Sequence, residues 1–188
     1  RIEAILESGP TGVGVESTVL DLSGNVPVIL RPGGVTREAL TEVLGTVELD
    51  PGLSDPRLIP KSPGMKYKHY SPRAEVFLVQ GERAKVATKI KELTFHYADQ
   101  GKKVGLLLTQ ESWASLGAEA EMLPAFYRRD LGSATQLEEI ARIIYSELRK
   151  CDLQGVEVIL TETYQTGGIG AALMNRLLKS AGQRVIKA

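Results

Sequence analysis

The sequence predicts an open, mostly parallel α/β sheet, and three observations lead there. From residue 74 onward, short apolar or β-branched runs alternate with longer stretches of helical period. The run Val104-Gly105-Leu106-Leu107-Leu108 is apolar on both faces, as in a strand covered by helices on two sides. The segment from Arg83 to Asp99 places Val86, Ile90, Leu93 and Tyr97 on one helical face. Strands alternating with helices fold most simply into a parallel sheet with right-handed crossovers.

Taken in order, Gly12 to Leu22 reads as a strand entered through a glycine turn, rich in valine and threonine. Ser23-Gly24-Asn25 is a turn, and Val26 to Leu30 is a second strand ending at Arg31-Pro32-Gly33-Gly34. Thr36 suits a helix N-cap, Glu38 the first turn and Gly45 the stop, which gives a helix over Arg37 to Leu44. From Thr46 to Arg73 neither period survives. Five of the nine prolines fall in this stretch, where a helix or central strand would not absorb them. Strands are then expected over Glu75–Val79, Val104–Leu108, Glu121–Tyr127, Val156–Leu160 and Arg184–Ile186. Helices are expected over Arg83–Asp99, Ser112–Gly117, Thr135–Lys150 and Ala171–Ala181. Three regions result: 1–45, a connector over 46–73, and an α/β domain over 74–188.

Composition narrows the function classes. Of 188 residues, 43% are hydrophobic and 24% charged, enough apolar material for a real core. Acids and bases balance at 23 each, so any anion site must be local rather than a property of the whole surface. The single cysteine, Cys151, allows no internal disulfide and no metal cluster, fits a reducing cytoplasm, and has no activating neighbour in sequence, so it reads as structural. No apolar run reaches membrane-spanning length. The chain opens in the strand-like Ile2-Glu3-Ala4-Ile5-Leu6 with no preceding turn, which reads as a start inside a domain.

Four candidate sites stand out. Glu16-Ser17-Thr18 follows Gly12-Val13-Gly14: glycines let a backbone approach a ligand, and the hydroxyls offer contacts to a carboxylate or phosphate. A glycine-rich hairpin leading into a strand is the plainer reading and the favoured one from pattern alone. Arg31, at a strand end, suits a phosphate or simply starts a turn; both readings stay open. Gly167-Gly168-Ile169-Gly170 opens the last helix and is best explained by tight strand-to-helix packing. In the connector, Lys61, Lys66, Lys68 and Arg73 interleave with Tyr67, His69 and Tyr70 between Pro63 and Pro72, with no acid among them. Rings alternating with cations suit a flat anionic partner such as a nucleotide or nucleic acid. His96 is expected on the surface.

Gly-Val-Glu-Ser-Thr-Val-Leu-Asp at 14–21, Ile-Leu-Arg-Pro-Gly-Gly-Val-Thr at 29–36 and Ser-Pro-Gly-Met-Lys-Tyr-Lys-His-Tyr-Ser-Pro at 62–72 resemble the long, two-domain form of L-threonylcarbamoyladenylate synthase. The resemblance continues through Leu148-Arg149 with Asp152, then Gly168-Ile169-Gly170-Ala171-Ala172 and Asn175-Arg176-Leu177. It implies the end of a YrdC-like α/β domain at 1–45, an extended linker at 46–73 and a Rossmann-like domain at 74–188. It also implies an activity: nucleotidyl transfer that forms threonylcarbamoyl-AMP from L-threonine, bicarbonate and ATP with release of pyrophosphate, in the cytoplasm, toward N6-threonylcarbamoyladenosine in tRNA.

Carried over by position, Ser17 would contact L-threonine, and Arg31 and Tyr70 would contact ATP, with Mg2+ accompanying the nucleotide. Expected partners are these substrates and either tRNA or the machinery that transfers the threonylcarbamoyl group to it, with no membrane. The family's earlier motifs, a lysine- and arginine-bearing ATP site and a Ser-x-Asn segment, have no counterpart here. This chain alone is therefore expected to be inactive. Lys68 and Ser71 replace the arginine and alanine common in the family's linker. The competing reading is a non-catalytic module that binds a nucleotide or tRNA.

Overall fold

The computed structural model describes residues 3, 4, 6, 9, 11–53, 58, 61, 62 and 71–188. Two sheets organise them. The smaller has three strands, β1 (Val19–Asp21), β2 (Val28–Arg31) and β3 (Glu48–Leu49), in that order. β1 pairs antiparallel to β2, with Val19 opposite Arg31, and β2 pairs parallel to β3. Between β2 and β3 lies α1 (Arg37–Leu44). The Thr36 hydroxyl accepts from the Ala39 amide at 3.2 Å, and Gly45 ends the helix at φ 78°. The predicted cap and stop are both in place.

Two expectations change in this half. The long strand foreseen over Gly12–Leu22 is reduced to three residues, because residues 12–18 leave the ladder to bind elsewhere in the molecule. The connector is not wholly aperiodic. Glu48 and Asp50 donate their amides to the Pro27 and Ile29 carbonyls, and Pro51–Leu53 forms a 3₁₀ turn.

The larger sheet contains β4 (Glu75–Gln80), β5 (Val104–Leu108), β6 (Tyr127–Asp130), β7 (Val158–Glu162) and β8 (Val185–Lys187). All neighbours are parallel, in the order β6-β5-β7-β4-β8. β5 and β7, near the middle, are buried along their whole length, whereas β6 and β8 form the edges. Side chains alternate across the sheet. Val76, Leu78, Leu107 and Ile159 face α4 (Leu137–Gln154) and α5 (Gly170–Ser180). Val79, Leu106, Leu108, Val158 and Leu160 face α2 (Arg83–Asp99) and α3 (Gln110–Leu116). Helices on both faces explain why β5 carries no polar residue.

The bounds of α2 match the sequence reading, and His96 is exposed on it. α3 begins two residues earlier than expected because Thr109 caps it, its hydroxyl accepting from the Ser112 amide at 3.3 Å. The strand expected over Glu121–Tyr127 is misplaced. Gly117–Met122 is a 3₁₀ turn, and the ladder runs over the polar sequence Tyr127-Arg128-Arg129-Asp130 at the sheet edge. Cys151 is fully buried between helix and sheet, and burial first, then the nearby Glu147 and Asp152 charges, push its thiol up to about 12. A thiol held that high is protonated and inert, as a structural cysteine should be.

Candidate substrate-binding site and its attachment to the C-terminal domain

Arg31 is the last residue of β2, and its pairing opposite Val19 turns its guanidinium back toward the residues just before β1. Nε and Nη2 donate to the Ser17 carbonyl at 3.2 and 3.0 Å, and Nη2 reaches the Ser17 hydroxyl at 3.4 Å. The two candidates that sequence reasoning raised separately are therefore brought together. Tyr70, the third, lies outside the described residues together with the rest of 63–70.

The backbone geometry here depends on Gly33. A β-carbon at that position would overlap the backbone of Glu16, Ser17 and Thr18, so only glycine lets the turn after β2 lie flat against this segment. The Thr18 hydroxyl then donates to the Val35 carbonyl at 2.6 Å, closing the two segments together.

Gly14 has a different role from the one its sequence context suggested. It sits at φ 76° with its backbone against α4, where a β-carbon would overlap the backbone of Arg142. The close approach is to the chain's own helix and not to a ligand. Arg142 Nε donates to the Gly12 carbonyl at 3.1 Å, and Val15 packs on Ala141, Ile169 and Ala172 between α4 and α5. Residues 12–18 are thus seated in a helical groove of the C-terminal domain.

From α5 the side chain of Arg176 enters the same region, 5% exposed. Its Nε pairs with Glu16 Oε2 at 2.5 Å, its Nη2 donates to the Pro32 carbonyl at 3.2 Å, and its Nη1 donates to Asn175 Oδ1 at 2.7 Å. Burial disfavours the Glu16 carboxylate. The Arg176 hydrogen bond, the residue's own amide and the charges of Arg176 and Arg31 outweigh that, and hold its carboxyl below the ordinary value. Lys179, one turn beyond Arg176, is pulled down to about 8 by burial first and by the Arg176 and Arg31 charges, against a smaller opposing effect of Glu16.

A second tie crosses at the start of α5. The Gly168 amide donates to Glu38 Oε1 of α1 at 3.3 Å, so the anion drawn to this helix terminus is a side chain of the same protein. Gly170 has no room for a β-carbon, which would overlap the Gln165 carbonyl, in keeping with the packing reading of this glycine cluster. Between the two halves a cleft of 440 Å³ is lined by Ile29, Val35, Leu49, Asp50, Met174 and Asn175, among others.

Sequence reasoning named Glu16 only within the Glu16-Ser17-Thr18 motif and Arg176 only within Asn175-Arg176-Leu177, gave neither a role here, and missed Lys179. One signal was available. Arg176 falls four residues after Ala172 and three after Leu173, inside the buried stripe of α5, and a charge in such a stripe calls for a partner. Among the described residues no group of three or more His, Cys, Asp or Glu side chains could hold a metal ion, and no helix is long and apolar enough to cross a membrane.

Residues 35–182 match the sequence family described as threonylcarbamoyl-AMP synthase, C-terminal domain. The whole chain is 42% identical over 187 residues to threonylcarbamoyl-AMP synthase of Bacillus subtilis and 43% identical over 188 residues to that of Pyrococcus abyssi. It covers 51% and 52% of those proteins, so the chain spans about half the length of the curated relatives it matches. A relative from Schizosaccharomyces pombe is 34% identical over 96% of this chain and 45% of its own length. In three dimensions the chain superposes on the crystal structure of P. abyssi Sua5 complexed with L-threonine with a TM-score of 0.85, at 42% identity, covering 100% of this chain and 52% of that one. Fold, motif order and end-to-end identity agree, and the chain belongs to the threonylcarbamoyl-AMP synthase family.

Proposed function

We propose that this chain supplies the C-terminal part of a synthase that makes threonylcarbamoyl-AMP from L-threonine, bicarbonate and ATP. The observation that carries the reading is the Arg31 guanidinium held on the carbonyl and hydroxyl of Ser17. A hydroxyl suits the carboxylate of an amino acid, and a guanidinium suits phosphate oxygens, so the pair can serve two substrates that must meet. The relative solved with L-threonine supports the assignment of the amino-acid substrate.

In this reading Ser17 contacts L-threonine, Arg31 contacts ATP, and Tyr70 reaches ATP from the linker. The threonine amine attacks the carbon of bicarbonate and water leaves, giving a carbamate whose oxygen attacks the α-phosphorus of ATP. The bond from that phosphorus to the bridging oxygen breaks, and pyrophosphate leaves with the electron pair. Mg2+ would accompany ATP and would help stabilise the charge that develops on the pyrophosphate leaving group. The product would pass to the machinery that modifies tRNA, which sets the reaction in the cytoplasm.

The test is pyrophosphate release that requires ATP, L-threonine and bicarbonate together. Full-length synthase should show it, and this chain alone should not. An inactive full-length protein, with salt-sensitive tRNA binding by this chain, would instead identify a nucleic-acid-binding module.

A further inference from the structure

We propose that Arg176, on the last helix of the C-terminal domain, is a positioning residue that holds both substrate-contacting segments in register. The inference rests on the assignment of Ser17 and Arg31 to substrates. Its argument is the placement of one buried guanidinium. Arg176 bonds Glu16, the neighbour of Ser17, and the carbonyl of Pro32, the neighbour of Arg31. Arg31 on Ser17 and Thr18 on Val35 tie the two segments to each other, and Arg176 ties both to the C-terminal domain.

The position of Arg176 is itself fixed. Leu173, Leu177 and Ala181 anchor α5 in the core against Val76 and Leu78, so the guanidinium reaches the site from a rigid support. A planar fork presents separate donors to Glu16 and Pro32 in one fixed geometry, which an ammonium on a flexible stem does not pre-organise. The arginine also neutralises a carboxylate one residue from the hydroxyl assigned to threonine's own carboxylate. Without it, Glu16 would repel the substrate, and the turn that Gly33 packs against residues 16–18 would lose its outer brace. The C-terminal domain thereby becomes part of the substrate site through one side chain, although that side chain touches neither substrate.

The experiment uses full-length synthase with Arg176→Ala, Arg176→Lys and Glu16→Gln, read as KM and kcat for L-threonine and ATP alongside circular dichroism and Tm. Arg176→Ala is expected to raise both KM values on the order of tenfold while kcat changes much less, as loss of positioned binding requires. Arg176→Lys should restore part of the loss, and Glu16→Gln should add little to Arg176→Ala. Lys102→Ala, which removes a distant surface ion pair with Glu157, should change nothing.

Unchanged KM values, or activity that falls only in proportion to the folded fraction, would overturn the role. If Arg176→Ala does not fold, Glu16→Gln and Arg176→Lys decide by the same KM criterion. Ser17→Ala and Arg31→Ala are measured in parallel. If those two lose affinity and Arg176→Ala does not, the positioning role alone fails. If all three bind normally, the underlying substrate assignment fails with it.

Discussion

Glu16 and Arg176, 160 positions apart in the chain, form an ion pair at 2.5 Å that joins the segment before β1 to the helix α5. The arginine is 5% exposed and the glutamate 29%, so the pair lies at the margin of the core rather than in open solvent. Around it the two halves interlock through Val15 on Ala141, Arg142 on Gly12 and Gly168 on Glu38. The three-stranded sheet is therefore attached to the five-stranded one by apolar, charged and backbone contacts together.

Within the first half, Gly33 lies against the backbone of residues 16–18 with no room for a side chain. Gly33→Ala should destabilise this chain by about 1–3 kcal/mol, because the added methyl meets backbone that cannot rotate away. Gly24→Ala is the control. Its β-carbon would meet only the Val26 carbonyl, at 3.8 Å, and the expected change is within about 0.5 kcal/mol. Urea midpoints of the two variants make the comparison, and equal midpoints would remove the close-packing account of Gly33.

Glu147, 1% exposed in α4, accepts from the Tyr127 hydroxyl at 2.8 Å and pairs with Lys150 at 2.7 Å and Arg129 at 3.5 Å. Burial first, then the Glu147 hydrogen bond and charge, push Tyr127 up to about 12. A raised tyrosine contributes stability in full below its ordinary value near 10 and loses it as pH climbs toward 12. In Glu147→Gln, Tyr127 should titrate lower, read by ultraviolet difference absorbance of the phenolate. Glu147→Ala, which also leaves the hydroxyl unpaired, should cost about 1–3 kcal/mol. A Tyr127 titration unmoved by either change would dissociate the pair.

Lys179 has the opposite sign. Its folded value is pulled down to about 8 from an ordinary 10.5, so the folded protein binds fewer protons than the unfolded chain between those limits. Its contribution is present above about pH 10.5 and is lost as pH falls through about 8. Lys179→Met should flatten the rise in stability across that interval, followed by denaturant titrations at several pH values. The lysine is partly solvated, so the effect should shrink in high salt. An unaltered pH profile in Lys179→Met would place the lysine in an unperturbed setting.

The linker aromatics separate by role. In the full-length synthase, Tyr70→Ala should weaken ATP binding or turnover more than Tyr67→Ala. Isothermal titration with ATP compares them directly, and equal losses would reduce Tyr70 to general packing.

Elements set by local chemistry were legible in the sequence. Thr36 and Gly45 bracket α1 within one short helix, and the period from Val86 to Tyr97 lies inside α2. Elements decided by distant partners were not. Residues 12–18 have the composition of a strand, but α4 and α5 recruit them, and the ladder begins only at Val19. Tyr127–Asp130 lacks an apolar alternation because it is an edge strand, defined by its pairing with β5. At the site, Ser17 and Arg31 were found one at a time, whereas their contact depends on register across β1 and β2. Arg176 and Glu16 each fell inside a motif, but nothing local marked them as partners 160 residues apart.

The Ser17–Arg31 contact makes the most direct demand on the account, because Arg31 both faces ATP in the proposed function and holds the residue assigned to L-threonine. Isothermal titration of each substrate into full-length synthase tests it. The prediction is that Ser17→Ala weakens L-threonine binding and spares ATP, whereas Arg31→Ala weakens both. Binding of both substrates at unchanged affinity in Arg31→Ala would contradict it.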